Sequence, residues 1–106
     1  MNPTYSFSTQ LWLTSHENPW VFITVPDEIS DEIVDDVDSL DLPRRGFGSV
    51  KVEVTLGSTS WRTSLFPDTK AGGYVMPVKK PVRFAEQVDD GDTVDVTIRL
   101  VEIADR

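Results

Sequence analysis

Cysteine is absent from the 106 residues, and histidine occurs once. The first absence excludes a disulfide staple and any thiolate-ligated metal, and it suits a reducing cytoplasm, the compartment expected here. The second leaves His16 as the sole imidazole, set in the turn-forming run "HENP" (residues 16–19) that favours a solvated loop. A Ser-His-Asp device needs an imidazole held beside a nucleophile and oriented by a carboxylate, and no such grouping can be read. Metal sites draw mostly on His and Cys. Only carboxylates remain, and they lack the Asp-rich spacing with a central Gly that cages calcium. Two of the 18 acids could converge as a hydrolytic pair, but their spacing singles none out. No metal, no cofactor and no catalytic residue is therefore expected, and the chain reads as a non-enzyme.

Long apolar runs are missing too. None approaches the roughly 20 residues of a membrane span, so no membrane partner is expected. The first stretch, "MNPTYSFSTQLWLTSHENPW", has neither a basic leader nor an unbroken apolar segment, so no signal peptide is expected. Positive charge is scarce and unevenly placed. Residues 1–42 hold nine acids and no Lys or Arg, and residues 86–106 hold seven acids against two bases. Between them, residues 43–85 hold eight bases and two acids, so a net charge of −8 conceals a basic middle. An acidic chain repels phosphate overall, which argues against non-specific nucleic-acid binding while leaving room for a local basic patch.

What is present is alternation. The length fits one domain, residues 1–106. In "YSFSTQLWL", Tyr5, Phe7, Thr9, Leu11 and Leu13 share one face of a first strand. A second, "WVFITV" (20–25), is rich in β-branched and aromatic residues and puts Trp20 in the core. The period then changes: Ile29, Ile33, Val37 and Leu40 recur at helical spacing, with Pro26, Asp27 and Glu28 suited to a helix start. "VKVEVTL" and "TSWRTSL" flank a Gly57-Ser58 turn. A two-residue turn there fixes the register: Leu56 opposes Thr59, Val54 opposes Trp61, Val52 opposes Thr63 and Val50 opposes Leu65. The other face sets Glu53 against Arg62 and Lys51 against Ser64, so opposite charges meet. "GYVMPV" (73–78) is a further strand, "PVRFAEQV" (81–88) a second helix, and "TVDVTIRLVE" the last strand. About six strands and two short helices with hairpin-scale connections predict a mostly β fold, a small antiparallel barrel.

The segments RGFGSV (45–50), WRTSLFP (61–67), GGYVMPVK (72–79) and GDTV (91–94), with "FSTQLWL" and "WVFITVP" before them, resemble the bacterial domain of unknown function 1905 over nearly the whole chain. The resemblance implies a split β-barrel similar to that of AbrB-type transcription factors. It also implies a stand-alone copy of a domain often followed by one related to bacteriocin-protection proteins. It brings no activity and no catalytic residue.

Two basic clusters remain to be placed. "RRGFGS" (44–49) lacks the Lys-Ser/Thr of a phosphate loop and leads into a strand, so Gly46 and Gly48 read as a tight approach to the hairpin with Phe47 over a barrel end. Lys79 and Lys80 precede Pro81 at the start of the second helix, with Arg83 expected in its first turn. Cations there oppose the helix dipole, a conflict that a bound anion would relieve. The expected ligand-binding residues are thus Arg44, Arg45, Lys79, Lys80 and Arg83, gathered at one barrel end for a small anion or an acidic protein partner. The alternative, by analogy of fold alone, is a nucleic-acid-binding regulator like the AbrB-type barrels.

Overall fold

A computed structural model describes residues 2–14, 19–40, 48–68 and 72–101. Among them the elements in chain order are β1 (Thr4–Gln10), β2 (Trp12–Leu13), β3 (Val21–Thr24), α1 (Asp27–Ser39), β4 (Val50–Leu56), β5 (Thr59–Pro67), β6 (Tyr74–Pro77), α2 (Lys80–Glu86) and β7 (Thr93–Leu100). The strands form a seven-stranded antiparallel sheet of order β1-β7-β4-β5-β6-β3-β2. The fold is mostly β with two helices, as the alternation predicts, and its curled antiparallel sheet agrees with the split barrel that the resemblance implies.

The predicted first strand is in fact two. β1 pairs with β7 and β2 pairs with β3, so a single run of chain supplies both ends of the strand order. The residue between them is Leu11, which is buried. Its N–H donates to Asp92 O at 2.9 Å and its carbonyl accepts from Gly91 N at 2.8 Å. The sheet must therefore curl until its two ends approach, and the Thr9 hydroxyl reaches Thr24 O on β3 at 3.2 Å. Leu13, expected inside, keeps the inner face opposite Val21 but is exposed because it lies on the two-residue edge strand.

The β4–β5 hairpin has the expected register throughout, from Val50 opposite Leu65 to Leu56 opposite Thr59. Past Leu65, β5 exchanges partners: Phe66 opposes Val75 and Pro67 opposes Tyr74 of β6. One long strand thus carries both halves of the barrel. Tyr5, Ile98, Val54 and Trp61 are successive cross-strand partners over β1, β7, β4 and β5, forming a row that points inward. The first three are buried and Trp61 packs against the core from its margin. Glu53 lies between Arg62 on β5 and Arg99 on β7. Arg99 donates to Glu53 Oε1 from Nε at 3.2 Å and Nη2 at 2.7 Å. Those hydrogen bonds, then the charge of Arg99, hold the Glu53 carboxyl below its ordinary range, and Arg62 adds to the effect.

α1 begins just after Pro26 and puts Ile33 and Val37 into the same core, while Leu40, its C-cap, is exposed. Two polar contacts fasten it. The Ser30 hydroxyl donates to Val25 O at 3.3 Å and accepts from Tyr74 N at 3.2 Å. The Tyr5 hydroxyl donates to the Asp36 carboxylate.

That second contact predicts an alkaline weakness. Burial first, then the hydrogen bond and charge of Asp36 with Glu32 beyond, push the Tyr5 phenol above its ordinary value. A group whose folded pKa exceeds its unfolded value stabilises fully below the unfolded pKa, about 10 for Tyr, and the contribution is lost as pH rises through the folded value. Tyr5→Phe should cost about 1–2 kcal/mol at neutral pH, a charged-acceptor hydrogen bond discounted for solvent access. Urea titrations of both proteins should show that gap constant below about pH 10 and shrinking above it. A gap that widens there would refute the contact.

Candidate functional site

The segment "VKKPVRFAE" (78–86) leaves β6 and builds α2. Lys79 is the extended N-cap (φ −73°, ψ 158°), Lys80 the first helical residue and Pro81 follows within the first turn, where its fixed φ fits. The helix is seven residues long, ends at a left-handed Gln87 (φ 57°), and buries none of its residues. This corrects the predicted span of 81–88. It also moves Arg83 from the first turn into the last, where a cation suits the dipole. The conflict with the dipole is thus confined to Lys79 and Lys80, and a helix of under two turns makes it small.

Polar clamps hold α2 beside the half-buried packing of Val82 on the core. Glu86 accepts from Ser58 N at 3.3 Å, from the Ser58 hydroxyl at 3.2 Å and from the Thr59 hydroxyl. The Thr59 contact, then both Ser58 donors, lower the Glu86 pKa. Gly57 has φ +62°, which favours glycine at the turn, and a Cβ there would lie 1.9 Å from Glu86 Oε1, so a side chain would displace the Glu86 carboxylate from its clamp. At the other side Arg83 donates from Nε to Val78 O and from Nη1 to Asp89 Oδ1, both at 3.0 Å. The Asp90 N–H, with Arg83 next, keeps the Asp89 carboxyl below its usual range.

Of the five expected ligand residues, Arg44 and Arg45 lie outside the described residues, as do His16, Gly46 and Phe47. Lys79, Lys80 and Arg83 come together. They share the wall of a hollow of about 210 Å³ with Pro19, Trp20, Val21, Pro77 and Val78. Arg83 is engaged by Asp89, whereas Lys79 and Lys80 are exposed and form no ion pair among the described residues. Lys80 and Arg83 also line a second hollow of about 410 Å³, bounded by Phe84, Gln87, Val88, Asp89 and Asp92. Among the described residues no group of three or more His, Cys, Asp or Glu is arranged to hold a metal ion, and no helix is long and apolar enough to cross a membrane.

Aromatic rings complete the surface. Trp20, predicted in the core, is 53% exposed, because Val21, Ile23 and Val25 take the inner face and period two sends Trp20 and Phe22 outward. The Trp20 ring stacks on Phe22 at 6.4 Å and 17°. Trp12, the cross-strand partner of Phe22, lies 5.4 Å from it and donates to Thr24 Oγ1 at 2.9 Å. Phe84, which lines the second hollow with Lys80, is 83% exposed. The buried run Val21-Ile23-Val25 was the signal in the sequence that would have turned Trp20 outward. Phe84 carried none, since α2 is too short to show a period.

A comparison with curated proteins finds no match. The chain does match the family model described as "Domain of unknown function (DUF1905)" over residues 7–98, most of its length, and it therefore belongs to that family.

Proposed function

We propose that the protein is a cytoplasmic binding module, not an enzyme, that takes a small anion or an acidic partner at its basic barrel end. The observation that carries this is the hollow where Lys79 and Lys80, exposed and without ion pairs among the described residues, stand beside the exposed Trp20. Lysine ammonium groups are strongly hydrated point charges suited to oxyanions, and an adjoining ring gives the ligand an apolar face. Arg83 serves this surface indirectly, because its guanidinium is spent on Val78 and Asp89 and fixes the lysine-bearing turn. Arg44 and Arg45 are proposed as further contributors on charge alone.

Amide NMR titration with inorganic phosphate, citrate and polyglutamate tests the reading. Shifts should gather at Lys79, Lys80 and the Trp20 indole. Lys79→Glu combined with Lys80→Glu should weaken binding by up to about thirtyfold, two reversed charges at roughly 1 kcal/mol or less each in high dielectric. Arg44→Ala and Arg45→Ala report on their share. A panel that leaves the Lys79, Lys80 and Trp20 signals unmoved would overturn the reading.

A further inference from the structure

We infer that the occupant of this basic end is single-stranded nucleic acid, an inference that rests on the anion-binding reading above and adds the class of ligand. Four aromatic side chains flank the lysines in sequence along the surface. Trp12 neighbours Phe22, Phe22 stacks on Trp20, Trp20 shares a hollow with Lys79 and Lys80, and Lys80 shares the next hollow with Phe84. Trp12, Trp20 and Phe84 are exposed at 37%, 53% and 83%. Rings left in water beside cations are what base stacking needs: each base offers a π face to a ring and the strand's phosphates follow the positive charge.

Shape favours an extended ligand. The hollow at Trp20, about 210 Å³, is smaller than the roughly 300–1,000 Å³ that engulfs a small molecule, and the hollow at Phe84, about 410 Å³, is near the low end of that range. It shares Lys80 and Arg83 with the hollow at Phe84, so the two adjoin at the lysine turn, with Asp89 and Asp92 on the far wall of the second. An acidic peptide would satisfy the lysines but leave the rings unused. Duplex DNA hides its base faces, and its charge density, about twice that of a single strand per unit length, meets a chain of net charge −8. Single strands use both features at the smallest electrostatic cost.

Quenching of tryptophan fluorescence by oligothymidylate and oligouridylate of about ten nucleotides, within the range one small single-strand-binding domain of another fold covers, gives the test, with the two sugars as separate arms. Affinity should fall with salt at a logarithmic slope of about −1.4, from two phosphates at roughly 0.7 each. Lys80→Ala should reduce the slope by about 0.7, and Trp20→Ala should weaken binding about 5- to 160-fold, the range for one stacked base. Both positions are exposed, so an unchanged melting temperature confirms that the variants fold. No quenching by either oligomer, alongside retained phosphate or polyglutamate shifts at Lys79 and Lys80, overturns the nucleic-acid inference and leaves the anion reading standing. Loss of every ligand overturns both. Equal competition by duplex, or a Trp20→Ala protein that binds like the parent, rejects stacking.

Discussion

Replacing Ile98 by alanine is expected to lower the free energy of unfolding by about 2–5 kcal/mol. Ile98 is fully buried at the middle of β7, with Tyr5 opposite on β1 and Val54 opposite on β4. Both neighbouring backbones are fixed by ladder hydrogen bonds, so they cannot close over the space left by the lost side chain. The cost therefore combines the lost transfer free energy of three carbons with a lasting cavity, which puts it in the upper half of that range. A domain of this size has on the order of 5–15 kcal/mol in total, so the variant should have its urea midpoint sharply reduced. Ile98→Val, which removes one methyl, should cost about 0.5–1.5 kcal/mol. Comparable losses for the two variants would mean that the inward row of Tyr5, Ile98, Val54 and Trp61 does not form the centre of the core.

That row shows where the sequence was readable. The Val54–Trp61 step is local, fixed by a two-residue turn, and its register could be worked out residue by residue. The Ile98–Val54 and Tyr5–Ile98 steps join strands more than forty residues apart, and alternation alone assigns a face but no neighbour. Glu53 faces Arg62 across the hairpin, as the register requires, but for the same reason the sequence hides its doubly hydrogen-bonded partner, Arg99 from β7. α1 was legible because thirteen residues are long enough to display a helical period.

The break at Leu11 was hidden for a different cause. Nothing in "YSFSTQLWL" interrupts the alternation, and the bend exists because the carbonyl and N–H of Leu11 are taken by the Gly91-Asp92 turn before β7. Closure of the sheet is thus a tertiary event acting on a locally uniform strand. At the candidate site, the basic residues 79–83 were legible as a cluster by charge. The fastening of Arg83 by Asp89 and of Glu86 by the hairpin turn depends on side chains meeting in space, and so does the outward Trp20–Phe22 stack.

Gly73→Ala should cost about 2–4 kcal/mol, combining left-handed backbone strain of about 1–2 with a similar amount for disturbing a buried hydrogen-bond junction. Gly73 has φ +73°, and a Cβ there would stand 2.9 Å from the Ser30 hydroxyl oxygen. That oxygen is no idle neighbour. It accepts from Tyr74 N on β6 and its proton goes to Val25 O at the end of β3, so displacing it uncouples α1 from both strands. Gly72 supplies the control, with φ +78° and nothing within 4 Å of its Cβ position. Gly72→Ala should show the backbone strain alone, about 1–2 kcal/mol. The difference between the two variants, measured by urea unfolding, isolates the part due to Ser30. Equal losses would mean that Ser30 yields freely to a methyl group, and the junction would then hold α1 no more tightly than its apolar stripe does.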